Sequence, residues 1–456
     1  MSLILEVNGM NTNKKFLLNV AIISLSLGVI SLSSCTVLET VETIKKIKHN
    51  YSDEELKAIY TSSIRALNEV NYPLKDRKVN NGYDEEFVFN VESFNELIFQ
   101  KYIGNHSNFV YSPSNLYSSL HFLSLGSSKE ANSILNNVLG SDNETRNVNY
   151  RKYFENNYFV NEGGISEIYN GFFINDSEKY LINPTYLNYL TSLYCEAYSL
   201  NIHDENNIES LVYNINKKVN ETDLLKKDDL VITPYTAFIL FNTFYFNHRW
   251  STTYSTSSNY EDTFYSFNNE EKATYMKHAF MGPLKEYEKH IVFEDFLSNG
   301  YKVRYYVTKD RNDDISTCIT KENYLEKLEY NENTINTITL SLPKFNFKNT
   351  INFNQTLKDI GLSSLYMRLD NFNNCFTILD NEPHYTFIEN SIQSTKVSFD
   401  NDGASFKSIQ ATTIAGCTSA APIGDHYYIN LENPFIFEIR DEYDLPILFG
   451  LLNSTK

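Results

Sequence analysis

Sixteen glycines and ten prolines are few for a chain of 456 residues, and that scarcity excludes collagen-like and low-complexity designs. Cationic residues are outnumbered as well: 39 Lys and Arg face 57 Asp and Glu, a net charge of −18. So acidic a chain is repelled by nucleic-acid backbones and anionic membrane surfaces, which removes both as main partners. Tryptophan occurs once, at Trp250, whereas tyrosine and phenylalanine number 34 and 31. Those two residue types favour pleated, half-buried surfaces, so a strand-rich protein is expected. Hydrophobic residues make up 42% of the chain and charged ones 21%, enough apolar content to bury a large core. The length allows one large domain or two to three ordinary ones.

Catalytic signatures are missing too. The chain contains no HExxH, GxSxG, P-loop or GxGxxG, the patterns that would announce a metalloprotease, a hydrolase elbow or a phosphate cradle. Its nine histidines are dispersed, and His278 and His384 read as structural or surface imidazoles. Asp313-Asp314 and Asp53-Glu54-Glu55 read as solvated faces or helix N-terminal charges. Cys195, Cys318, Cys375 and Cys417 lack ligand spacing, and the sequence leaves their pairing open. No cofactor, no metal and no enzymatic activity are expected.

What is present begins with an address. Lys14 and Lys15 precede an apolar run over residues 16–32, followed by Ser33, Ser34 and Cys35. A basic stretch, an apolar stretch and small residues describe a secretory signal over residues 1–34. The ending Leu32-Ser33-Ser34-Cys35 also resembles a bacterial lipobox, in which Cys35 is lipidated and becomes the mature N-terminus. A plain signal peptide or an uncleaved anchor, with Cys35 incidental, is the alternative. Either places the protein outside the cytoplasmic membrane, lipid-anchored in the first case. Residues 35–90 read as a tether with one amphipathic helix: Ser52 and Glu55 form a capping box before Leu56, Ile59, Tyr60, Ile64 and Leu67. From residue 91 to 456 nothing splits the chain. Helical periodicity around residues 94–102, 116–125 and 131–139 gives way to strand-like runs at 237–247, 337–347, 429–440 and 446–452. That order suggests an α+β fold, with the run at 237–247 apolar almost throughout, as a strand buried on both faces should be.

Several segments, in order, resemble the serpin family. Residues 92–140 are similar to its first helices, with Ser112-Pro113 at a helix entry and Leu125-Gly126 at its end. Residues 230–250 resemble its central strand, placing Asn242 at the shutter asparagine and Trp250 at the breach tryptophan. Residues 341–366 and 430–452 match its "lPkF" segment and its C-terminal strands. Departures exist: Asn115 stands for a shutter serine, Gln393 for a shutter histidine, Lys218 for a helical tryptophan, and Glu432-Asn433 for the usual pair before Pro434-Phe435. Amide side chains still supply donors and acceptors, so a polar shutter of Ser112, Asn242 and Gln393 can persist.

The resemblance implies a serpin fold with N-terminal helices, three β-sheets and an exposed reactive-centre loop at about residues 404–428. It implies a monomeric suicide inhibitor of extracellular serine, possibly cysteine, endopeptidases that inserts its cleaved loop into the main sheet. A non-inhibitory surface module with the same fold is the alternative. The loop hinge falls at Gly403, Ala404, Ser405, Phe406 and Ser408. Alternation sends Ala404, Phe406, Ser408 and Gln410 inward and Ser405, Lys407, Ile409 and Ala411 outward. Ala404 and Ser408 suit a hinge that favours small residues; Phe406 and Gln410 suit it poorly. The usual spacing puts the bait bond at Cys417-Thr418, with bonds as late as Ile423-Gly424 open. No Lys or Arg lies between Ser408 and Gly424, which disfavours a trypsin-like target and favours elastase-like or subtilisin-like proteases.

Overall fold

The computed structural model describes residues 64–76, 81–176, 180–328, 336–378, 385–405 and 425–456. Cys35, Ser52, Glu55, Phe406, Ser408, Cys417, Thr418 and Ile423 lie outside them. Four helices fall between residues 85 and 156: Glu85–Phe99, Pro113–Leu125, Lys129–Leu139 and Asn143–Asn156. Three start at side chains that accept a bond from the first turn: Ser112 from the Asn115 amide, Ser128 from Ala131 and Asp142 from Thr145. Such caps satisfy donors that a helix start leaves unpaired. Pro113 at the first helical position needs no donor, which fits its ring.

An eight-stranded main sheet runs, in pairing order, Arg65–Ala66, Cys195–Leu200, Gly164–Asn175, Phe238–Arg249, Gly403–Ser405, Ile392–Phe399 and Phe345–Asn352. Its eighth strand, Phe159–Asn161, pairs with Gly164–Asn175 off that path. A six-stranded sheet contains Lys302–Thr308, Phe435–Arg440, Pro446–Leu452 and Phe109–Tyr111, and a four-stranded sheet is built around Glu270–Gly282 and Asn336–Pro343. Tyr180–Ile182 and Phe376–Ile378 form a small ribbon. The architecture is α+β with three large sheets. One continuous apolar core joins the first helix, through Phe87, Val91, Phe94 and Ile98, to the C-terminal strands. Arg440 is buried there between Glu92 and Glu438, its Nε 2.6 Å from the Glu438 carboxylate. A guanidinium out of water needs such partners, and the pair ties first helix to last strands.

Three sequence expectations are corrected. The first helix starts at Glu85, earlier than a tether reaching residue 90 allows, because Phe87 and Val91 already belong to the core-facing stripe. Ile64 and Leu67 do not continue a helix. Arg65–Ala66 is a strand paired with Ser199 and Tyr198, and the Leu67 amide donates to Ala197 O at 2.8 Å. The Asn68 side chain mimics one more rung, donating to Cys195 O and accepting from the Ala197 amide. Edge pairing thus overrides the helical spacing. The third concerns the central strand, half-buried from Phe238 to Phe244 where burial on both faces was expected.

The helix Pro113–Leu125 is fixed from behind by a buried imidazole. Arg146 Nε donates to His121 Nδ1 at 3.2 Å, while His121 Nε2 lies 3.0 Å from Asn147 Oδ1. Nδ1 is therefore the acceptor and Nε2 carries the proton. Burial, with the Arg146 guanidinium beside it, holds the His121 pKa down at about 3, against an ordinary 6.5. The unfolded chain then binds a proton below pH 6.5 that the folded chain refuses, so this contribution to stability is lost as pH falls from 6.5 toward 3. At pH 4.5 that loss amounts to about 2–3 kcal/mol. The difference in unfolding free energy between pH 7 and pH 4.5, from denaturant titrations, is expected to shrink by that amount in His121→Gln; an unchanged difference would contradict the assignment.

Candidate functional site

The central strand Phe238–Arg249 is paired along one edge from Phe238 to His248 with Gly164–Asn175. On its other edge the described residues supply a partner only at the top. Gly403, Ala404 and Ser405 pair with Arg249, His248 and Asn247, and on their far side Ala404 and Ser405 pair with Phe399 and Ser398. These three residues thus form a short strand wedged between two long ones, antiparallel to both. From Phe238 to Phe244 the described residues place no strand on this side. A cavity of about 1710 Å³ opens here, lined by Phe238, Leu240, Asn242 and Phe244 on one wall and by Ile392, Gln393, Ser394 and Lys396 on the other. At about 3.4 Å per residue, the slot from Asn247 to Phe238 is about 30 Å long, and at its top the strand Gly403–Ser405 spans it from wall to wall. The apolar central strand is therefore half-buried below Tyr245, not buried on both faces as its composition suggests.

The wedge is anchored by its turn. Asp400 Oδ1 accepts from the Asp402 amide at 2.9 Å and the Gly403 amide at 3.3 Å. Trp250 Nε1 donates to Asp400 O at 2.8 Å, and Asn401 Nδ2 donates to Tyr254 O at 3.0 Å. Glycine is required at 403 by close approach: a Cβ there would stand 2.0 Å from His248 O. Ala404 is fully buried beside it.

Lower down, both walls of the slot are tied to the helix Pro113–Leu125. Ser119 Oγ donates to Asn242 Oδ1, and Asn242 Nδ2 donates to Asn170 Oδ1, each at 2.5 Å. Across the slot, Gln393 Oε1 accepts from the Ser112 amide at 2.6 Å while its Nε2 donates to Ser112 O at 3.2 Å. Over the outer face packs a helix, Glu205–Lys218, whose Ile208, Leu211, Val212 and Ile215 meet Ile239, Phe241 and Ile392 from both walls. Lys218, where a tryptophan was expected, sets its ammonium 4.2 Å over the Tyr169 ring, and Lys396 pairs with Glu221 at 3.0 Å.

The structure thus brings Gly403, Ala404 and Ser405 together with Trp250 at one end, and Ser112, Asn242 and Gln393 at the other. Phe406, Ser408 and the candidate bait residues Cys417, Thr418 and Ile423 lie outside the described residues, as does the lipidation candidate Cys35. Sequence reading missed Ser119 and Asn170, which sit among many Ser and Asn with no local signal, whereas the resemblance already places Asp400 at the hinge entry before Gly403. Cys195, Cys318 and Cys375 are free and buried. Gly403→Val is expected to force the wedge off His248 at a cost of about 1–3 kcal/mol of overpacking, read as a lower denaturant midpoint. An unchanged midpoint would mean that the hinge does not hold this register in solution.

Comparisons with known proteins agree with this geometry. The family model described as Serpin (serine protease inhibitor) matches residues 87–453. An "uncharacterized serpin-like protein" of Methanosarcina mazei is 23% identical over 399 residues, 82% of this chain and 89% of that protein. Among solved structures, the thermophilic serpin tengpin in its native state superposes with a TM-score of 0.70 at 21% identity, covering 86% of this chain and all of that one. Serpin48 of the insect Tenebrio molitor gives 0.68 at 15% identity, over 83% of this chain and all of its own. Human thyroxine-binding globulin complexed with its hormone gives 0.65 at 15% identity, over 81% of this chain and all of its own. The chain belongs to the serpin family.

Proposed function

We propose that the chain is an exported inhibitor of extracellular endopeptidases, held at the cell surface through Cys35, that traps its target by lengthening the Gly403–Ser405 strand down the main sheet. The observation that carries this reading is the three-residue wedge, already paired on both edges at the mouth of a slot one strand wide. In this reading the protease's nucleophile attacks the carbonyl carbon of the bait bond. The peptide bond breaks, the amine leaves with a proton, and an acyl ester remains on the protease. The freed segment continues the ladder below Ser405, each rung adding backbone hydrogen bonds worth about 0.5–1.5 kcal/mol net. Insertion competes with hydrolysis of the ester by water, so its rate decides the outcome.

Continuing the register one rung puts Phe406 between Phe246 and Val397, both of which are fully buried. Overpacking of about 1–3 kcal/mol at that point, expressed in the insertion barrier, slows the race about three- to tenfold or more. That feature favours the second reading, a binding module that keeps the fold without trapping proteases; human thyroxine-binding globulin, solved with thyroxine, has such a fold.

Mixing the protein with an elastase and with a subtilisin-type protease, followed by denaturing gels, separates the two. A heat- and detergent-resistant band at the summed mass is expected, together with little trapping of trypsin. Clean cleavage without such a band moves the weight to the binding module. Phe406→Ala is expected to raise the ratio of trapped to hydrolysed product about three- to tenfold or more, measured by densitometry of the same gels; an unchanged ratio would show that Phe406 is accommodated.

A further inference from the structure

The top of the central strand carries a buried imidazole, His248. Its backbone pairs with Ala404 on one edge and with Gly164 on the other. The ring lies over Gly164, where a Cβ would stand 2.6 Å from Nδ1. Phe246 and Tyr301 pack against it with centroids 4.5 Å away, and Phe159 meets it edge-on at 5.8 Å.

Both ring nitrogens meet groups whose proton positions are settled elsewhere. Asn157 Nδ2 donates to Tyr153 O at 2.9 Å, so Asn157 Oδ1 accepts from the Tyr301 hydroxyl, 2.7 Å away. With its proton committed, the Tyr301 oxygen accepts from Ser166 Oγ at 2.9 Å, and Ser166 Oγ accepts from His248 Nε2 at 3.0 Å. The other nitrogen is read from the opposite side. Asn161 Oδ1 takes the Gly163 amide at 2.9 Å, which leaves Asn161 Nδ2 to donate to Asn299 Oδ1 at 2.9 Å. Asn299 Nδ2 then gives one N–H to Asn161 Oδ1 and the other, at 3.3 Å, to His248 Nδ1. Ser298 Oγ, also 3.3 Å from Nδ1, gives its proton to Gly163 O. Read from either end, the ring is the neutral Nε2–H tautomer with Nδ1 as acceptor.

We propose that His248 is an acid-operated joint: a second proton, which has to go on Nδ1, sets N–H against N–H at Asn299 and unfastens the turn 298–300 from the hairpin 159–166 that braces the top of the central strand. The new N–H is drawn to Ser298 Oγ while the Asn299 amide is expelled. The charged groups on the elements packed there are Arg249 on the same strand, Glu162 in the hairpin, Asp402 beside Gly403, Glu442 against Gly300, and Asp441, which bonds to Asn157 at the far end of the relay. Burial pushes the Tyr301 hydroxyl well above its usual range, so it keeps its proton throughout. The clamp is made with the neutral ring; it is therefore present at neutral pH and lost as pH falls. The joint is independent of the inhibitory reading, since the hairpin and the turn act on the sheet whatever the loop does.

The test uses the full chain with 15N-labelled histidine, whose ring spectra report tautomer and charge, beside hydrogen exchange of peptides covering residues 159–166 and 244–250. His248→Asn assigns the signal by its loss. Wild type is expected to show the Nε2–H tautomer at pH 7.5. On acidification, charging of His248 is expected to coincide with an about tenfold or greater loss of protection in both peptides, after correction for intrinsic exchange. Asn299→Asp keeps the size and tolerates the φ of 61°, and it replaces the donor at Nδ1 by an acceptor. In that variant His248 is expected to be doubly protonated at pH 7.5 and the acid-induced loss to disappear. An Nδ1–H tautomer in the wild type would overturn the proton order and the joint with it. Charging of His248 without loss of protection, or a ring that stays neutral until the whole chain unfolds, would equally overturn the joint. So would an Asn299→Asp protein that titrates and loosens as the wild type does; should that variant not fold, the wild-type outcomes alone decide.

Discussion

Everything at the site depends on an inequality between the two edges of the strand Phe238–Arg249. One edge is satisfied rung by rung over eleven residues; the other is satisfied by three residues at the top. A backbone edge is an obligatory set of donors and acceptors, and one that faces a cavity lined half by apolar side chains is a standing demand for a partner. The wedge Gly403–Ser405 answers that demand at one end and simultaneously fixes register, direction and facing for whatever extends it.

The helix Pro113–Leu125 is tied to both walls of the slot. It reaches one wall through Ser119 and the other through Ser112, and it is itself set from behind by His121 and Arg146. Because the bonds are made by amide side chains and not by the ladder itself, the backbone edges of the walls stay available. The wall contacts are polar, local and few, while the outer face is closed by apolar packing from the helix Glu205–Lys218.

Much of this was legible in the sequence wherever one residue type has one physical use. Gly403 announces close backbone approach, Ser112-Pro113 announces a capped helix start, and the apolar run from Phe238 announces a strand of the main sheet. Asn242, Gln393 and Trp250 were singled out by resemblance, and each makes a side-chain hydrogen bond in the structure. Ser119, Asn170 and Asn68 were not legible, because a Ser or Asn is informative only once its neighbours in space are known. The strand Arg65–Ala66 was misread for the opposite reason: Ile64 and Leu67 carry a true helical spacing, but the open edge at Ala197 offers more hydrogen bonds than an isolated helix end. Half-burial of the central strand was invisible to composition, since apolar residues read the same beside a filled or an open rung.

The single tryptophan has a consequence for anyone who works with this protein. Trp250 lies at the root of the wedge, its ring 5.0 Å from Tyr254 and 5.9 Å from Phe399 between centroids, with its N–H on Asp400 O. Ultraviolet excitation selective for indole therefore addresses one place in 456 residues, and that place is the turn that anchors Gly403–Ser405. The chain carries its own optical gauge, with no dye to attach and no background from a second indole to subtract.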